Sequence, residues 1–286
     1  MAKLSEDQII KIFQTKLGNK KFISEDVETF TLGKTKIVAK IDTMVESTDI
    51  PKKMKLSDAA RKSVIACVSD FAAKGVKPEY GIISINLPKT ISRVKIENIV
   101  NGFKKACKEY GISIIGGDTN EGKEIVFNVC IFGNSNNIVT RKGSKKGDLV
   151  FVTGPFGYTS IGLNILIKKK KEKSKFVEKS IKSVINPKPK LSFGLKNKKY
   201  FSSSMDSSDG LSTTLNEMAK QSGKKFIVNN IPSNKDLEDY AKKRNLNLNS
   251  IIFNGGEEYE FIFTIPVKYR KNIIKNAKLL KTPIIE

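Results

Sequence analysis

The alternation of apolar and polar positions predicts helices and strands in turn along the first half of the chain. Ser5 and Gln8 have the spacing of a capping box, and the apolar residues that follow recur at helical intervals up to Gly18. Residues 27–32 and 35–42 predict two strands of a β-hairpin around a glycine turn. An N-terminal helix and a hairpin are therefore the first expected elements.

The elements that follow predict a mixed α/β arrangement. They are a helix capped by Ser57 or Asp58 and ending at Gly75, a strand at 81–86, a helix from Ser92 to Gly111, and strands at 112–115 and 125–132. Helices that alternate with strands in this way are typical of α/β folds.

A polar, turn-rich stretch at 133–147 indicates a boundary, after which a second set of elements begins. These elements are a strand at 149–153, helices at 159–169 and 174–184, a loop after Met205, a helix at 212–221, and strands at 226–229 and 259–264. We therefore predict two domains of ordinary size, residues 1–137 and 138–286.

The chain is strongly basic, with 52 Lys and Arg residues against 29 Asp and Glu residues and a formal charge of +23. Such a charge attracts anions such as ATP, and it is also found in proteins that bind nucleic acids. A nucleic-acid-binding surface needs aromatic side chains among the basic ones, but this chain has no tryptophan and most phenylalanines fall on apolar stripes. We expect a basic solvated surface and no nucleic-acid partner.

Histidine is absent, which excludes Ser-His-Asp hydrolases and histidine-ligated zinc sites. Cys67, Cys107 and Cys130 lie singly in apolar stretches and are expected to be buried reduced thiols. No apolar run reaches the ~20 residues of a membrane helix, and the N-terminus has no apolar signal stretch. A cytoplasmic location without a membrane partner is the expectation.

Acidic residues near the ends of predicted elements are the candidate chemical groups. They are Asp42, Asp70, Asp118, Asp206, Asp209, Glu257 and Glu258, and several lie beside glycines. Taken singly, Asp118 is also compatible with a turn and Asp209 with a helix cap, whereas Asp70 falls inside an apolar helix where an unpaired carboxylate is costly. As a set, carboxylates suit Mg²⁺, and glycines allow close backbone approach to a phosphate. The pattern predicts a metal-dependent phosphate site without identifying its substrate.

Four motifs, in this order and spacing, resemble those of the thiamine-monophosphate kinase family. They are Ser69-Asp70-Phe71-Ala72-Ala73-Lys74-Gly75, Gly116-Gly117-Asp118-Thr119, Asp206-Ser207-Ser208-Asp209-Gly210 and Gly255-Gly256-Glu257-Glu258-Tyr259. The resemblance covers nearly the whole chain and places it in the superfamily of aminoimidazole ribonucleotide synthetase and selenophosphate synthetase. It implies two α/β domains, with N-terminal mixed sheets that close a β-barrel across a homodimer.

The same resemblance implies a role for each residue at a matching position. Magnesium ions would be held by Asp26, Asp42, Asp70, Asp118, Asp206 and Asp209. ATP would be contacted by Gly117, Arg141 and Ser208, and the substrate by Asp49 and Glu257. The thiazolium ring of thiamine is cationic, so a carboxylate is electrostatically suited to face it. No side chain is implied as a covalent or acid–base catalyst.

The chain departs from the family pattern at three places. The family's Gly-Asp-Asp near the N-terminus is Ser24-Glu25-Asp26, and its hydroxyl pair before the strand-end aspartate is Lys40-Ile41. Isoleucine has no hydroxyl, so that ligand of one metal shell cannot form. The chain also stops at Glu286, before the family's C-terminal segment with a substrate-contacting aromatic, which leaves a fragment and a short form with weaker substrate binding as alternatives.

The implied reaction is the ATP-dependent phosphorylation of thiamine monophosphate to thiamine diphosphate by direct in-line transfer, with Mg²⁺ neutralising charge on the transferring group. Selenophosphate synthetase is disfavoured because no cysteine precedes Cys67, and a hydrogenase-maturation relative because no terminal cysteine exists. Three alternatives remain: another ATP-dependent enzyme of the superfamily, an inactive regulatory homologue, and a basic nucleic-acid-binding protein.

Overall fold

The computed structural model describes residues 4–18, 23–168 and 172–286. In the first half the elements are α1 (Glu6–Lys16), β1 (Glu28–Leu32), β2 (Thr35–Val45), α2 (Glu46–Asp49), α3 (Leu56–Lys74), β3 (Tyr80–Leu87), α4 (Arg93–Tyr110), β4 (Ser113–Glu121) and β5 (Val126–Asn134). The five strands form one mixed sheet in the order β1-β2-β5-β3-β4. Strands β3 and β4 are parallel, and the other neighbours are antiparallel.

The second half forms a smaller sheet flanked by helices. Its elements are β6 (Leu149–Val152), α5 (Tyr158–Ile167), α6 (Lys175–Ile185), α7 (Leu191–Asn197), β7 (Ser203–Asp206), α8 (Leu211–Ser222), α9 (Lys235–Lys243), α10 (Leu248–Phe253), β8 (Phe261–Ile265) and α11 (Arg270–Leu279). The strand order is β6-β8-β7, and both pairs are antiparallel. No helix within the described ranges is long and apolar enough to cross a membrane.

Helix α3 lies between the two sheets and positions the residues discussed below. It packs against β2 and β5 of the first sheet and against β7 and β8 of the second. Almost all of its residues from Ala59 to Lys74 are buried, which is expected of a helix covered on all sides. One hydrophobic core therefore includes Val68 and Phe71 of α3, Val129 of β5 and Phe263 of β8.

The first sheet has one covered and one open face. Alternation along β5 turns Phe127, Val129 and Ile131 toward the helices, where they are fully buried. On the opposite face, Ile41 is 64% exposed and Tyr80 is 51% exposed. The molecule thus presents an apolar sheet surface to its surroundings.

The local signals in the first half are largely confirmed. The Ser5 capping box begins α1, and the predicted hairpin is the antiparallel pair β1–β2. Ser92 caps α4, and both α3 and α4 end at glycines in the left-handed region. These features depend on residues a few positions apart, so the sequence pattern is sufficient to locate them.

Three predicted boundaries in the first half are wrong, each for an identifiable reason. Helix α3 begins after Lys55 without a side-chain cap, so Ser57 and Asp58 lie inside its first turn. Asp42 does not close its strand, because β2 continues to Val45 along β5. Asp118 does not lie in a turn after the strand, because β4 continues to Glu121 alongside β3.

In the second half the sequence prediction misplaces two segments. Met205 lies inside β7, which pairs with β8 as far as Asp206, so the loop begins after Asp206 and not after Met205. Residues 226–229 do not form a strand; they line a large cavity beside β6. The predicted helix at 159–169 corresponds to α5, but Lys169 lies outside the described residues. Helices α7, α9, α10 and α11 have no counterpart in the sequence prediction.

Candidate active site

A cavity of about 220 Å³ lies at the junction of the two sheets and contains most of the predicted acidic residues. Its lining includes Lys40, Asp42, Asp49, Ser63, Asp70, Asp206, Ser208, Asp209, Glu257 and Tyr259. These residues come from β2, α2, α3, the end of β7 and the segment before β8. The fold therefore brings together carboxylates that are more than 200 residues apart in sequence.

Lys40 connects two of these carboxylates. Strand alternation places Lys40 and Asp42 on the same face of β2, and α3 presents Asp70 to that face. The Lys40 Nζ lies 3.0 Å from Asp70 Oδ2 and 3.6 Å from Asp42 Oδ2. Burial lowers the pKa of Lys40, but the carboxylates of Asp70 and Asp42 outweigh this effect and raise it above its ordinary value. Lys40 is therefore a charged ammonium within the cavity wall.

Asp26 lies next to this cavity in a buried network of charges. Its carboxylate is 3.0 Å from the Lys74 Nζ and 2.6 Å from an Arg141 guanidinium nitrogen. It also accepts a hydrogen bond from the Asp206 backbone N–H at 3.1 Å. Burial alone would raise the pKa of Asp26, but Lys74 and Arg141 hold it below its ordinary value. Asp26 is therefore ionised, with both of its oxygens occupied.

Asp206 and Asp70 are buried carboxyl groups whose pKa values are raised. The Ser69 hydroxyl donates a short hydrogen bond to Asp206 Oδ1. Burial raises the pKa of Asp206 to about 7, and the negative charges of Asp26 and Asp42 act in the same direction. Burial also raises the pKa of Asp70 well above its ordinary value despite the Lys40 ammonium, with Asp206 contributing. Both carboxyl groups therefore keep their protons to higher pH than an exposed aspartate does.

Two glycine-rich loops close the cavity on the side of the second sheet. The Glu257 backbone N–H donates to the Ser208 carbonyl at 2.7 Å. A Cβ at Gly256 would lie 2.7 Å from the same carbonyl, so only glycine allows this approach. Glu257 and Tyr259 both have left-handed backbone angles, with φ of 60° and 52°. Such angles are unfavourable for these residue types and are found where a function requires a fixed loop.

The two substrate candidates have different surroundings. Asp49 is at the end of α2, where its carboxylate accepts a hydrogen bond from the Val45 N–H at 2.7 Å. Glu257 is 2.8 Å from the ammonium of Lys62, a buried residue of α3. Both residues line the cavity, and the prediction that they contact one substrate requires them to lie in one site.

Gly117 and Asp118 are not brought to this cavity within one chain. They lie on the edge strand β4 and line a separate cavity of about 330 Å³ against α4. A Cβ at Gly117 would lie 1.9 Å from the Ile83 carbonyl, so glycine is required there by strand packing. Asp118 is exposed on the open face of the sheet and accepts a hydrogen bond from the Asn120 amide at 2.9 Å. These two residues are separated from the other candidates by β3 and β5.

The carboxylate oxygens in and beside the cavity are suitable ligands for Mg²⁺, although several of them are paired with lysine or arginine side chains. No group of three acidic or cysteine side chains within the described residues is already arranged around a common metal position. Burial, with neighbouring aspartates acting in the same direction, raises the pKa values of Asp70 and Asp206, and a divalent cation bound here would favour their ionised forms. Oxygen ligands without histidine or thiolate neighbours favour Mg²⁺ over Zn²⁺.

Arg141 is the one cation of this site that was among the residues predicted from the sequence; Lys40, Lys62 and Lys74 were not. Lys62 and Lys74 both lie on α3, the helix that is buried between the two sheets. Their occurrence in an otherwise apolar buried helix was an available signal. Lys40 gave a weaker signal, because a lysine in a strand is usually solvated.

A larger cavity of about 1290 Å³ lies elsewhere, beside β6 in the second sheet. It is lined by apolar residues such as Leu149, Leu215 and Phe226, with Lys145 and Lys224 among its polar residues. Volume alone would favour it as the active site. The smaller cavity is the better candidate, because it contains the converging carboxylates that phosphate chemistry requires.

Comparison with known proteins indicates the family of this chain. Residues 24–134 match the family described as AIR synthase related protein, N-terminal domain. The chain is 67% identical to the thiamine-monophosphate kinase of Nitrosopumilus maritimus (strain SCM1), over 100% of this chain and 90% of that protein. It is 32% identical to the thiamine-monophosphate kinase of Pyrococcus horikoshii, over 96% of this chain and 86% of that protein.

A solved structure supports the same assignment. The structure of AaThiL complexed with AMPPCP and TMP matches with a TM-score of 0.87 at 28% identity, covering 94% of this chain and 88% of that chain. The mixed α/β fold expected from the sequence is therefore confirmed, including its likeness to the aminoimidazole-ribonucleotide-synthetase superfamily. By its identity to curated members over its full length, the chain belongs to the thiamine-monophosphate kinase family.

Proposed function

We propose that this protein transfers the γ-phosphoryl group of ATP to thiamine monophosphate, giving ADP and thiamine diphosphate. The observation that carries the proposal is the convergence of Asp42, Asp70, Asp206 and Glu257 on one cavity between two sheets. The family assignment supports the same reaction, and the related AaThiL structure holds AMPPCP, an analogue of ATP, together with TMP.

The proposed mechanism is direct in-line transfer without a phosphoenzyme. The acceptor is a phosphate monoester, whose second pKa of about 6 makes it mostly dianionic at neutral pH. Its oxygen can attack without giving up a proton, so the absence of histidine is no obstacle. Catalysis then consists of holding two anionic groups in line and stabilising their charge.

Magnesium is the proposed cofactor, and bound ions would neutralise charge on the transferring phosphoryl group. Asp42, Asp70, Asp206 and Asp209 would supply oxygen ligands within the cavity. Asp26 is held beside them by Lys74 and Arg141, so it would coordinate an ion only with a rearrangement of this network.

The remaining proposed roles are those that the family resemblance implies, and the positions and charges of the residues are consistent with them. Ser208, in the glycine-rich loop after β7, would contact ATP, and Arg141 would counter phosphate charge from its place beside Asp26. Glu257 would face the cationic thiazolium ring, and Asp49 would line the same substrate pocket. The +23 formal charge would draw both anionic substrates toward the protein.

We also propose that two copies associate through the open face of the first sheet. Exposed apolar side chains on that face, among them Phe30, Ile41, Tyr80 and Ile82, would become buried. Closure would also cover the exposed edge strand β4, which is a physical reason for association. Gly117 and Asp118 lie at this surface, so each would approach the second copy and not the cavity of its own chain.

The proposed domain organisation is residues 1–137 and 138–286. The boundary falls between β5, which ends at Asn134, and β6, which begins at Leu149. It separates the two sheets, while α3 of the first part packs against both.

The decisive experiment is ADP release from ATP at saturating Mg²⁺ with thiamine monophosphate or free thiamine as acceptor, with product mass determined in each case. We expect thiamine diphosphate from thiamine monophosphate only, because a primary alcohol must lose a proton and the cavity aspartates are committed to cations. Comparable turnover of free thiamine would contradict the mechanism and indicate an aspartate acting as a base. No turnover with either acceptor would favour an inactive regulatory homologue.

A further inference from the structure

The position of Lys40 distinguishes this cavity from one lined only by metal ligands. Lys40 and Ile41 precede Asp42 on β2, so a lysine shares the covered face of the strand with the candidate ligand Asp42. The Lys40 ammonium is 3.0 Å from Asp70 and 3.6 Å from Asp42, and it is the group that bridges these two carboxylates.

We propose that Lys40 is a built-in cation of the active site, occupying the position between Asp42 and Asp70 that a divalent ion would otherwise take. The inference rests on the proposed magnesium-dependent function and specifies it further. A site with Lys40 in place would bind one Mg²⁺ fewer per chain than the same site without it.

The backbone supports this role because it holds both partners in fixed positions. Lys40 and Asp42 are two residues apart on β2, and both are paired with β5 through Ile131 and Val129. Asp70 comes from α3, which is buried between the sheets. The lysine side chain is three-quarters buried, so its ammonium is confined near the two carboxylates.

Charge and ligand geometry explain why the ammonium and a metal ion would exclude each other. An ion between these carboxylates would need oxygen contacts of about 2.0–2.1 Å, and the ammonium lies in the same space. The ammonium carries one positive charge where Mg²⁺ carries two, so the cavity keeps a residual negative charge. Because the cation is tethered, its presence does not depend on the concentration of free Mg²⁺.

The test is to count bound Mn²⁺ ions, used in place of Mg²⁺, by electron paramagnetic resonance of free Mn²⁺ in the presence of a non-hydrolysable ATP analogue. Lys40→Ser removes the ammonium and leaves a short polar side chain. Lys40→Arg retains the charge. Lys36→Ser is the matched control, because Lys36 lies on the same face of β2 and is also half-buried.

We expect Lys40→Ser to bind one more Mn²⁺ per chain than the wild type, with Lys36→Ser and Lys40→Arg unchanged. Equal, non-zero counts in wild type and Lys40→Ser would overturn the inference while leaving magnesium use intact. Binding of no Mn²⁺ by any of the proteins would contradict the proposed magnesium dependence and overturn the inference with it.

A second measurement covers the possibility that Lys40→Ser is unstable. If an ion replaces the ammonium, saturating Mg²⁺ must raise the unfolding temperature of Lys40→Ser more than that of wild type or Lys36→Ser. Equal shifts in the three proteins, or a Lys40→Ser variant that stays unfolded at saturating Mg²⁺, would overturn the inference.

Discussion

The Nζ of Lys62, an almost fully buried residue of α3, lies 2.8 Å from the Glu257 carboxylate in the loop before β8. The contact joins the two halves of the chain across the cavity. A buried ammonium is stable only with a partner, so Lys62 also fixes where Glu257 points. Glu257 retains partial exposure and lines the cavity, and it is the carboxylate that we propose to face the cationic ring.

The first prediction concerns Glu257→Gln. The substitution keeps the shape of the side chain but removes the charge proposed to face the thiazolium ring. We expect the KM for thiamine monophosphate to rise about tenfold, with the KM for ATP changing less, as suits a lost charge-assisted contact. Steady-state kinetics with each substrate varied will measure both constants. Glu97→Gln, on the exposed surface of α4, is the control, and equal changes in both KM values would contradict the assignment.

A second prediction concerns Asp118→Asn. Asp118 is exposed on β4 and its neighbour Asn120 donates to it, so the fold should tolerate the substitution. If Asp118 holds a metal ion, turnover should fall about 100-fold, the scale of removing one important electrostatic group from an active site. Turnover is to be measured across a range of Mg²⁺ concentrations. Near wild-type turnover at low Mg²⁺, with Glu121→Gln of the same strand as control, would refute the metal role.

The third prediction tests association through the open face of the first sheet. Ile41→Glu places a charge at the centre of this apolar surface, where burial against a second copy would be costly. We expect the wild type to sediment as a dimer and Ile41→Glu as a monomer. Leu279→Glu is the matched control, because Leu279 is equally exposed but lies on α11, away from the sheet. A monomeric wild type, or equal behaviour of the two variants, would exclude this interface.

The fourth prediction concerns pH. Burial raises the pKa of Glu258 to about 7 from an ordinary value of 4.5, while the Gly157 N–H donates to its carboxyl. The folded protein therefore binds a proton that the unfolded chain releases, so Glu258 stabilises the fold fully below about pH 4.5. This contribution is lost as pH rises through about 7.

Glu258→Gln should remove that dependence. We expect the free energy of unfolding of the wild type, relative to Glu258→Gln, to fall by on the order of 3 kcal/mol between pH 4.5 and pH 8. Urea unfolding at several pH values will measure it, and the other titrating groups cancel in the difference. Parallel pH profiles for the two proteins would show that Glu258 is not buried as a protonated acid. Glu97→Gln should run parallel to the wild type.

Several features of the site could be predicted from the sequence because they depend on neighbouring residues. Helical spacing placed Asp70 inside a buried helix, and the burial of a carboxylate marked it as unusual. Glycines beside Asp209 and Glu257 led to the prediction that backbone can approach a phosphate closely, and the structure shows Gly256 close to the Ser208 carbonyl. Recognition of the motifs in order then identified the family.

The ends of the strands could not be predicted from local patterns, because they depend on neighbouring strands that are distant in sequence. β4 extends past Asp118 because β3 lies beside it, and β2 extends past Asp42 because β5 does. Residues 226–229 have the composition of a strand but not the pairing. A strand is stabilised by hydrogen bonds to a neighbour, and that neighbour is determined only when the sheet has assembled.

Only the tertiary structure determined which charges face one another. Lys62 and Glu257 are separated by 195 residues, and Lys40 and Asp70 belong to different types of element. By itself the sequence determined α1, α3 and α4 with most of their ends, and it marked the acidic candidates, since these signals depend on spacing within a few residues. The pairing of each carboxylate with a lysine, an arginine or a neighbouring carboxylate was decided by packing α3 between two sheets, because electrostatic energy depends on distance in space and on burial.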